Sequence, residues 1–380
     1  MIILYLIKSF ASKAGTERVM CDKMNWLAER GNHVFLVTYE QGCHPYAFPL
    51  NKTITNYDLN TPFYKLQRYG ILKKILLYFV FRYEFRKKFQ YLIDVIKPDV
   101  IITTTYTFQL FDIIAKIKTK SKRILESHIA CRKVCKSEFM NPKSICFRLF
   151  GIYDKLMYGY AKRFDALVAL TNNDGAEWAK YIDNVFVIPN PVTYILPNME
   201  GRVEKKRIIC VGRLHEQKGF DLLIESFSLI SKKCPEWHID IFGEGGEKQR
   251  LQQLISKNDL DDRVFINPPT DRIYDEYMKS DFLVFSSRYE GFGLVLLEAM
   301  SCGIPCLSFN CPYGPSDIIK DGINGLLVDN EDIKLMGDKM LWMINNKQQR
   351  IRMGIEARKS VITRYQIDHI MEEWQLVLNR

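Results

Sequence analysis

Short apolar runs separated by helix-forming stretches recur along both halves of this 380-residue chain. That alternation constrains its fold more than any other feature. In the first half the runs are Ile2–Ile7, Val34–Thr38, Val100–Thr103, Arg123–Glu126 and Leu167–Leu170. In the second they are Ile208–Val211, Ile239–Phe242, Val264–Ile266, Phe282–Phe285 and Pro305–Phe309. Repeated strand–helix alternation predicts parallel sheets covered by helices on both faces. Two such series predict an α/β chain of two doubly wound domains, facing each other across a cleft at the carboxyl ends of their strands. Pro189-Asn190-Pro191, then Pro197 and the charged run Glu204-Lys205-Lys206, read as the linker. The expected domains are therefore 1–195 and 203–360. At 47% hydrophobic residues the chain has enough apolar material for both cores.

A net charge of +10 suits nucleic acid, an anionic membrane or a phosphorylated ligand. No nucleic-acid-binding signature accompanies it, so nucleic acid is not an expected partner. The ten cysteines are scattered. Cys302, Cys306 and Cys311 lie close together with no histidine nearby to complete a zinc set, and Cys131 and Cys135 are likewise isolated. They read as free, mostly buried thiols in a reducing cytoplasm, and no metal is expected. Met1–Ile7 is too short for a signal peptide and has no basic leader, so it reads as a first buried strand. No apolar run approaches membrane-spanning length; the strongest is Ile75–Phe81.

The most informative stretch is Glu290-Gly-Phe-Gly-Leu-Val-Leu-Leu-Glu298. It follows the apolar run Phe282–Phe285 and passes into the helix-forming run Leu294–Met300. Strand, glycine turn and helix together present unpaired backbone N–H groups to a phosphate. Gly293, Leu294 and Val295 form that turn and helix start, with the positive end of the helix dipole behind them. Glu298 lies about a turn further in, where it can accept from both hydroxyls of a ribose. Glu290 precedes the turn and can reach a transferred sugar. Earlier in the same half, Val211-Gly-Arg213-Leu-His-Glu-Gln-Lys218-Gly219 follows another strand. Its Arg213 can hold two phosphate oxygens and Lys218 acts as a point charge, which suits a diphosphate. Gly243-Glu244-Gly245-Gly246 also follows a strand but lacks the third glycine of a dinucleotide fingerprint.

Gly212-Arg213 with Lys218-Gly219, Gly243-Glu244-Gly245, Glu290-Gly-Phe-Gly with Glu298, Gly303-Ile-Pro305 and Asp321-Gly-Ile-Asn-Gly325 occur in that order. Over most of Ile208 to Val328 this set resembles the retaining glycosyltransferases of family 4. The resemblance implies the GT-B fold of two Rossmann-like domains, with a carboxyl-terminal donor domain. It implies that Arg213 and Lys218 hold the donor diphosphate, Glu298 the ribose, and that Glu290 lies by the donor sugar. In the first half, Ala14-Gly15-Thr16 resembles the family's glycine loop, with Ala14 standing where a glycine is usual. Gly15 can still bring the backbone close to the pyrophosphate. His128 follows the strand Arg123–Glu126 and is similar in position to a family histidine near the reacting centre. A neutral imidazole there can hydrogen-bond the donor sugar or an acceptor hydroxyl. The segment Thr363–Leu378 resembles the family's final helix, which returns to the first domain, so the resemblance adds 363–380 to domain 1–195.

The expected activity is therefore retaining transfer of a hexose from a nucleotide sugar, most readily a UDP-sugar. The expected acceptor is a glycan or a polyprenyl-linked carrier. The Cys311–Asp317 loop resembles enzymes of surface polysaccharide synthesis, although Asp317 stands where many members have glutamate. Asn267-Pro268-Pro269-Thr270 is a candidate lining for the base pocket, and equally an ordinary loop. Asp259-Leu260-Asp261 matches a metal-binding pattern of the other glycosyltransferase fold, but its charged loop reads as surface. No cofactor or metal is expected. Two basic, aromatic stretches, Lys65–Lys88 and Lys143–Phe164, suit peripheral contact with anionic lipid at the cytoplasmic membrane face. Packing on the domain core is the competing reading for them. Two rival functions remain at this stage: a nucleotide-sugar epimerase of the same fold, and a donor-binding partner subunit without turnover.

Overall fold

The computed structural model describes residues 1–134, 145–192 and 204–380, with side chains described from residue 151 in the middle stretch. Two compact units emerge: Met1–Pro189 with Ile370–Arg380, and Asn190–His369. The first holds strands β1 (Ile2–Ile7), β2 (His33–Thr38), β3 (Thr55–Asp58), β4 (Val100–Thr104), β5 (Lys122–Glu126), β6 (Ala166–Ala169) and β7 (Val185–Val187). The second holds β8 (Arg207–Val211), β9 (His238–Phe242), β10 (Val264–Asn267), β11 (Phe282–Phe285), β12 (Cys306–Phe309) and β13 (Gly325–Val328). The sheet orders are β3-β2-β1-β4-β5-β6-β7 and β10-β9-β8-β11-β12-β13. Every ladder is parallel. The ten expected strands are all present, each within a residue of its expected ends.

Each sheet reverses its winding once, between β1 and β4 in the first and between β8 and β11 in the second. Loops at the carboxyl ends of strands flanking such a reversal diverge and leave a crevice. Apolar side chains from both faces fill each sheet's surroundings. Leu4, Leu6, Ile101 and Leu125 anchor the first core, and Ile208, Cys210, Ile239 and Val284 the second.

The carboxyl terminus departs from expectation. Thr363–Leu378 is not one helix: Lys347–Arg364 ends at Tyr365, and a separate helix runs Ile367–Asn379. The final helix begins in the second unit, and the first unit takes only Ile370–Arg380 rather than 363–380. The break follows from pairing, since Tyr365 O accepts from Val192 N–H at 2.7 Å and Gln366 bridges Val192. The expected linker residue Pro197 and the boundary positions 195 and 203 lie outside the described residues, as does Lys143.

The stretch Lys65–Lys88 falls mostly on the helix Ile71–Ile96, which settles where its apolar residues go. Phe85, Phe89 and Ile93 are buried, and Leu77, Tyr78 and Phe81 pack against the core. Ile71, Leu72, Ile75, Leu76, Phe79, Val80 and Tyr83 are exposed, Leu72 by 85%. Their spacing of one, then three or four, puts them on one face. Core packing therefore accounts for one side of this helix and not for the other. No helix among the described residues is long and apolar enough to cross a membrane.

Candidate functional site

The loops after β8 and β11 meet beside the reversal of the second sheet. The β8 loop turns at Gly212, passes Arg213, and ends in a short 3-10 turn, Glu216–Lys218, before the helix Phe220–Ser228. His215 stays a loop residue: its Nδ1 accepts from Gln217 N–H at 3.2 Å. A side chain at Gly212 would press on the stem of Lys218, 3.3 Å away, so the glycine leaves a track for that lysine. Lys218 Nζ then reaches Glu290, 2.5 Å from Oε1. The same oxygen accepts from Ser287 Oγ at 2.6 Å. Glu290 is buried and Lys218 nearly so, which makes the pair more than a screened surface contact. Arg213 is exposed and has no ion pair with a described residue.

Arg288 clasps the two loops together. Its guanidinium donates to Asp221 at 2.9 and 3.0 Å and to Glu216 O at 2.7 Å, while its own N–H bonds Gln217 O at 2.8 Å. Backbone approaches too close for any side chain fix the rest. A Cβ on Gly219 would lie 2.0 Å from Ser286 O, and on Gly314 1.8 Å from Phe292 O. Both glycines also have positive φ, at 61° and 111°. The Gly243–Gly246 cluster belongs to the same construction. Gly243 would strike Gly212 O at 1.9 Å and Gly245 Leu214 O at 2.3 Å. These glycines shape the β8 loop.

Gly293, at φ 102° and ψ 51°, precedes the eight-residue helix Leu294–Ser301 and offers no side-chain cap. The first N–H groups of the helix, those of Leu294 and Val295 among them, thus have no helical acceptor behind them. Together with Lys218, which reaches the turn before this helix through Glu290, they are an arrangement able to take an anion. Glu298 is half-buried on that helix, and Tyr277 Oη donates to its Oε2 at 3.1 Å. Tyr277 is fully buried, so the bond fixes one carboxylate oxygen of Glu298. Pro268 and Pro269 are exposed at the end of the edge strand β10, with Thr270 accepting from Arg272 N–H at 3.1 Å. Asp259 and Asp261 are surface residues, and no cluster suited to a metal occurs among the described residues.

In the first unit, Gly15 opens the helix Gly15–Glu29 and is exposed. Ala14 before it is extended, at φ −104° and ψ 165°, a conformation open to any residue, so alanine here carries no backbone penalty. His128 is buried at the end of β5. Thr105 Oγ1 accepts from its N–H at 3.1 Å and from that of Ile129 at 3.0 Å. Its Nε2 is 3.1 Å from Glu126 Oε1, at ion-pair distance but off the line of a good hydrogen bond. The same oxygen pairs with Lys23 Nζ, and the three side chains are between 0 and 2% exposed. Burial opposes ionisation of Glu126, yet Lys23 and His128 bring its carboxyl down to about 2. Burial pulls the lysine downward in turn. Asp174 supports the same loop, accepting from Ser127 Oγ and from Cys131 N–H, each at 2.6 Å.

The structure thus brings together Lys218, Glu290, Gly293, Leu294 and Val295 in the second unit, with Glu298 further along the same helix. Gly15 and His128 belong to the first unit. Sequence reasoning missed Ser287, Arg288, Asp221, Tyr277, Lys23 and Glu126. Arg288 lies two residues before Glu290 and was within reach of that motif; Tyr277 and Lys23 carry no local signal.

Known proteins share this chain's fold and part of its sequence. Residues 197–360 match the family model described as glycosyl transferases group 1. An uncharacterized glycosyltransferase of Haemophilus influenzae is 29% identical over 378 residues, covering 98% of this chain and 99% of that protein. The amylovoran biosynthesis glycosyltransferase AmsD of Erwinia amylovora is 26% identical, covering 99% of each. Among solved structures, a mutant of S. aureus TarM in complex with fondaparinux, alpha-GlcNAc-glycerol and UDP superposes with a TM-score of 0.78 at 18% identity, covering 100% of both chains. The two parallel-sheet Rossmann-like units are those of the GT-B fold.

Proposed function

We propose a donor, an acceptor class and a stereochemical course for this chain, which is a GT-B glycosyltransferase with a group 1 carboxyl-terminal half. It transfers a hexose from a UDP-sugar, with retention, to a glycan or polyprenyl-linked acceptor in cell-surface polysaccharide synthesis. The observation that carries this reading is the meeting of Lys218, Glu290 and the uncapped Gly293 helix at the reversal of the second sheet. The polysaccharide role is supported by AmsD, an amylovoran biosynthesis enzyme, and the uridine nucleotide by the UDP held in TarM.

In this reading the diphosphate lies against the N–H groups of Leu294 and Val295, with Lys218 and Arg213 as counter-charges. As the bond to the sugar breaks, negative charge grows on the diphosphate, and these groups stabilise it without reorganising. Glu298, held by Tyr277, accepts from the ribose. Glu290 orients the departing sugar, and His128 in the first unit hydrogen-bonds a sugar hydroxyl. No protein general base is assigned, because same-face attack lets the departing phosphate oxygen receive the acceptor proton. The reaction as written needs no metal.

The exposed apolar face of Ile71–Tyr83 supports a peripheral membrane site. Lys65, Arg68, Lys73 and Lys74 border it, which suits anionic headgroups. The decisive experiment is a thermal-shift panel of UDP-, GDP- and ADP-hexoses, followed by hydrolysis of the stabilising donor with NMR of the released anomer. Stabilisation by UDP-hexoses and release of the α-anomer from an α-linked donor are expected. No stabilisation by any nucleotide sugar would overturn the reading. A C-epimerised nucleotide product would establish the epimerase instead.

A further inference from the structure

We propose that Glu126 is a positioning residue for His128, and that Lys23, under the ring of Trp374, holds Glu126 in place for that task. This rests on the reading of His128 as a sugar-contacting residue. The four residues come from distant segments of the first unit: the helix Gly15–Glu29, the end of β5, the turn after it, and the final helix.

Lys23 and Glu126 are buried charges, at 1% and 0% exposure. Such a pair costs several kcal/mol of desolvation per ion, and an apolar pair of equal volume commonly serves a fold as well. Lys23 has its Nζ 4.4 Å from the centre of the Trp374 ring, a favourable site for a desolvated cation. Glu126 Oε1 takes the lysine and faces His128 Nε2, while Oε2 has no hydrogen-bond partner among the described residues. The fold alone gives no reason to spend a second contact of that oxygen on a histidine.

The arrangement does have a consequence for the imidazole. A carboxylate accepts only, so it favours the tautomer with the proton on Nε2. Nδ1 is then left with its lone pair and can accept from a hydroxyl. The main chain of His128 is fixed separately, through Thr105 Oγ1. Replacing Glu126 therefore releases the ring without releasing the turn. Lys23 supplies the neutralising charge that makes an anionic Glu126 tolerable at this depth. Trp374 extends the support to the final helix.

The test uses the full chain labelled with 15N-histidine. Long-range 1H–15N spectra report the tautomer of His128, assigned by comparison with His128→Gln. The wild type is expected to protonate Nε2, and Glu126→Gln to shift the population toward Nδ1. Hydrolysis of UDP-glucose and UDP-N-acetylglucosamine is expected to lose kcat by about 10-fold or more, on the scale of losing the carboxylate partner of a metal-bound imidazole, with unchanged donor KM. If Glu126→Gln does not fold, Lys23→Met/Glu126→Gln removes both charges and carries the same expectation. A wild-type His128 protonated on Nδ1, or a folded Glu126 variant with unchanged tautomer and kcat, overturns the proposal. Undiminished hydrolysis by His128→Ala instead sinks the reading of His128 on which it rests, whatever the tautomer shows.

Discussion

Lys218 Nζ stands 2.5 Å from Glu290 Oε1, and this ion pair joins the loops of the two strands that flank the reversal of the second sheet. The cation proposed for a diphosphate and the carboxylate proposed for a sugar thus set each other's position. Removing either leaves the other poorly solvated. Lys218→Ala and Glu290→Gln are each expected to destabilise the chain by about 2 kcal/mol. Both are expected to lower kcat by about 100-fold or more, as loss of a transition-state charge partner does. Lys218→Met/Glu290→Gln should recover most of the stability and none of the activity, read by denaturant unfolding beside donor hydrolysis.

Tyr277→Phe deletes one hydroxyl from a fully buried ring and with it the hydrogen bond to Glu298 Oε2. Losing a hydrogen bond to a charged group costs about 1.5 kcal/mol. Titration calorimetry with UDP should show affinity falling roughly tenfold, with the enthalpy reduced. Unchanged affinity would mean that Glu298 does not touch the ribose.

Gly314→Ala tests the main-chain contacts of the site. Its Cβ would sit 1.8 Å from Phe292 O at a φ of 111°. Backbone must move, so the expected loss is about 3 kcal/mol or more, with nucleotide binding lost together with it. Gly246→Ala, whose Cβ meets nothing within 4 Å, is the control and should bind normally.

Asp174 gives a pH dependence of definite sign. Burial raises its carboxyl to about 6, against the hydrogen bonds from Ser127 and Cys131 that pull it down. Between roughly pH 4 and 6 the folded chain holds this proton and the unfolded chain does not. The group's stabilisation is therefore complete below pH 4 and is lost as pH rises through 6. Relative to Asp174→Asn, the wild type should lose up to about 3 kcal/mol between pH 4 and 7. Paired urea melts across that range measure it, and an opposite slope would refute the assignment.

The apolar face of the helix Ile71–Ile96 predicts binding to vesicles of phosphatidylglycerol, weakened by salt. Leu72→Ser/Leu76→Ser/Phe79→Ser should abolish co-sedimentation and leave the melting temperature within about 2 °C, since these side chains are exposed. Equal sedimentation of the triple variant would exclude this face.

The strands that sequence revealed are mostly those buried on both faces. Those it missed, β3, β7 and β13, are all at sheet edges. β3 is exposed throughout, β7 has three residues, and β13 begins inside Asp321-Gly-Ile-Asn-Gly325, which reads as a turn. That motif proves structural: Asn324 Oδ1 accepts from Lys320 N–H at 2.7 Å and Asp321 Oδ1 from Leu327 N–H at 2.9 Å. Lys218 and Glu290 were legible as motif members. Their pairing was not, because 72 residues separate them. Lys23 and Glu126 are 103 apart, and a lysine amid apolar helix residues gives no sign that it faces inward.

Gly219, Gly243, Gly245 and Gly314 set the shape of the donor-side loops through main-chain contact. The main-chain part of the proposed diphosphate cradle therefore owes little to the neighbouring side chains, whereas Lys218 depends on Glu290. Leu294 and Val295 contribute main-chain N–H groups, so a change of side chain at either leaves those donors in place. Such a frame tolerates sequence drift around it, and its four glycines are the positions that drift cannot reach.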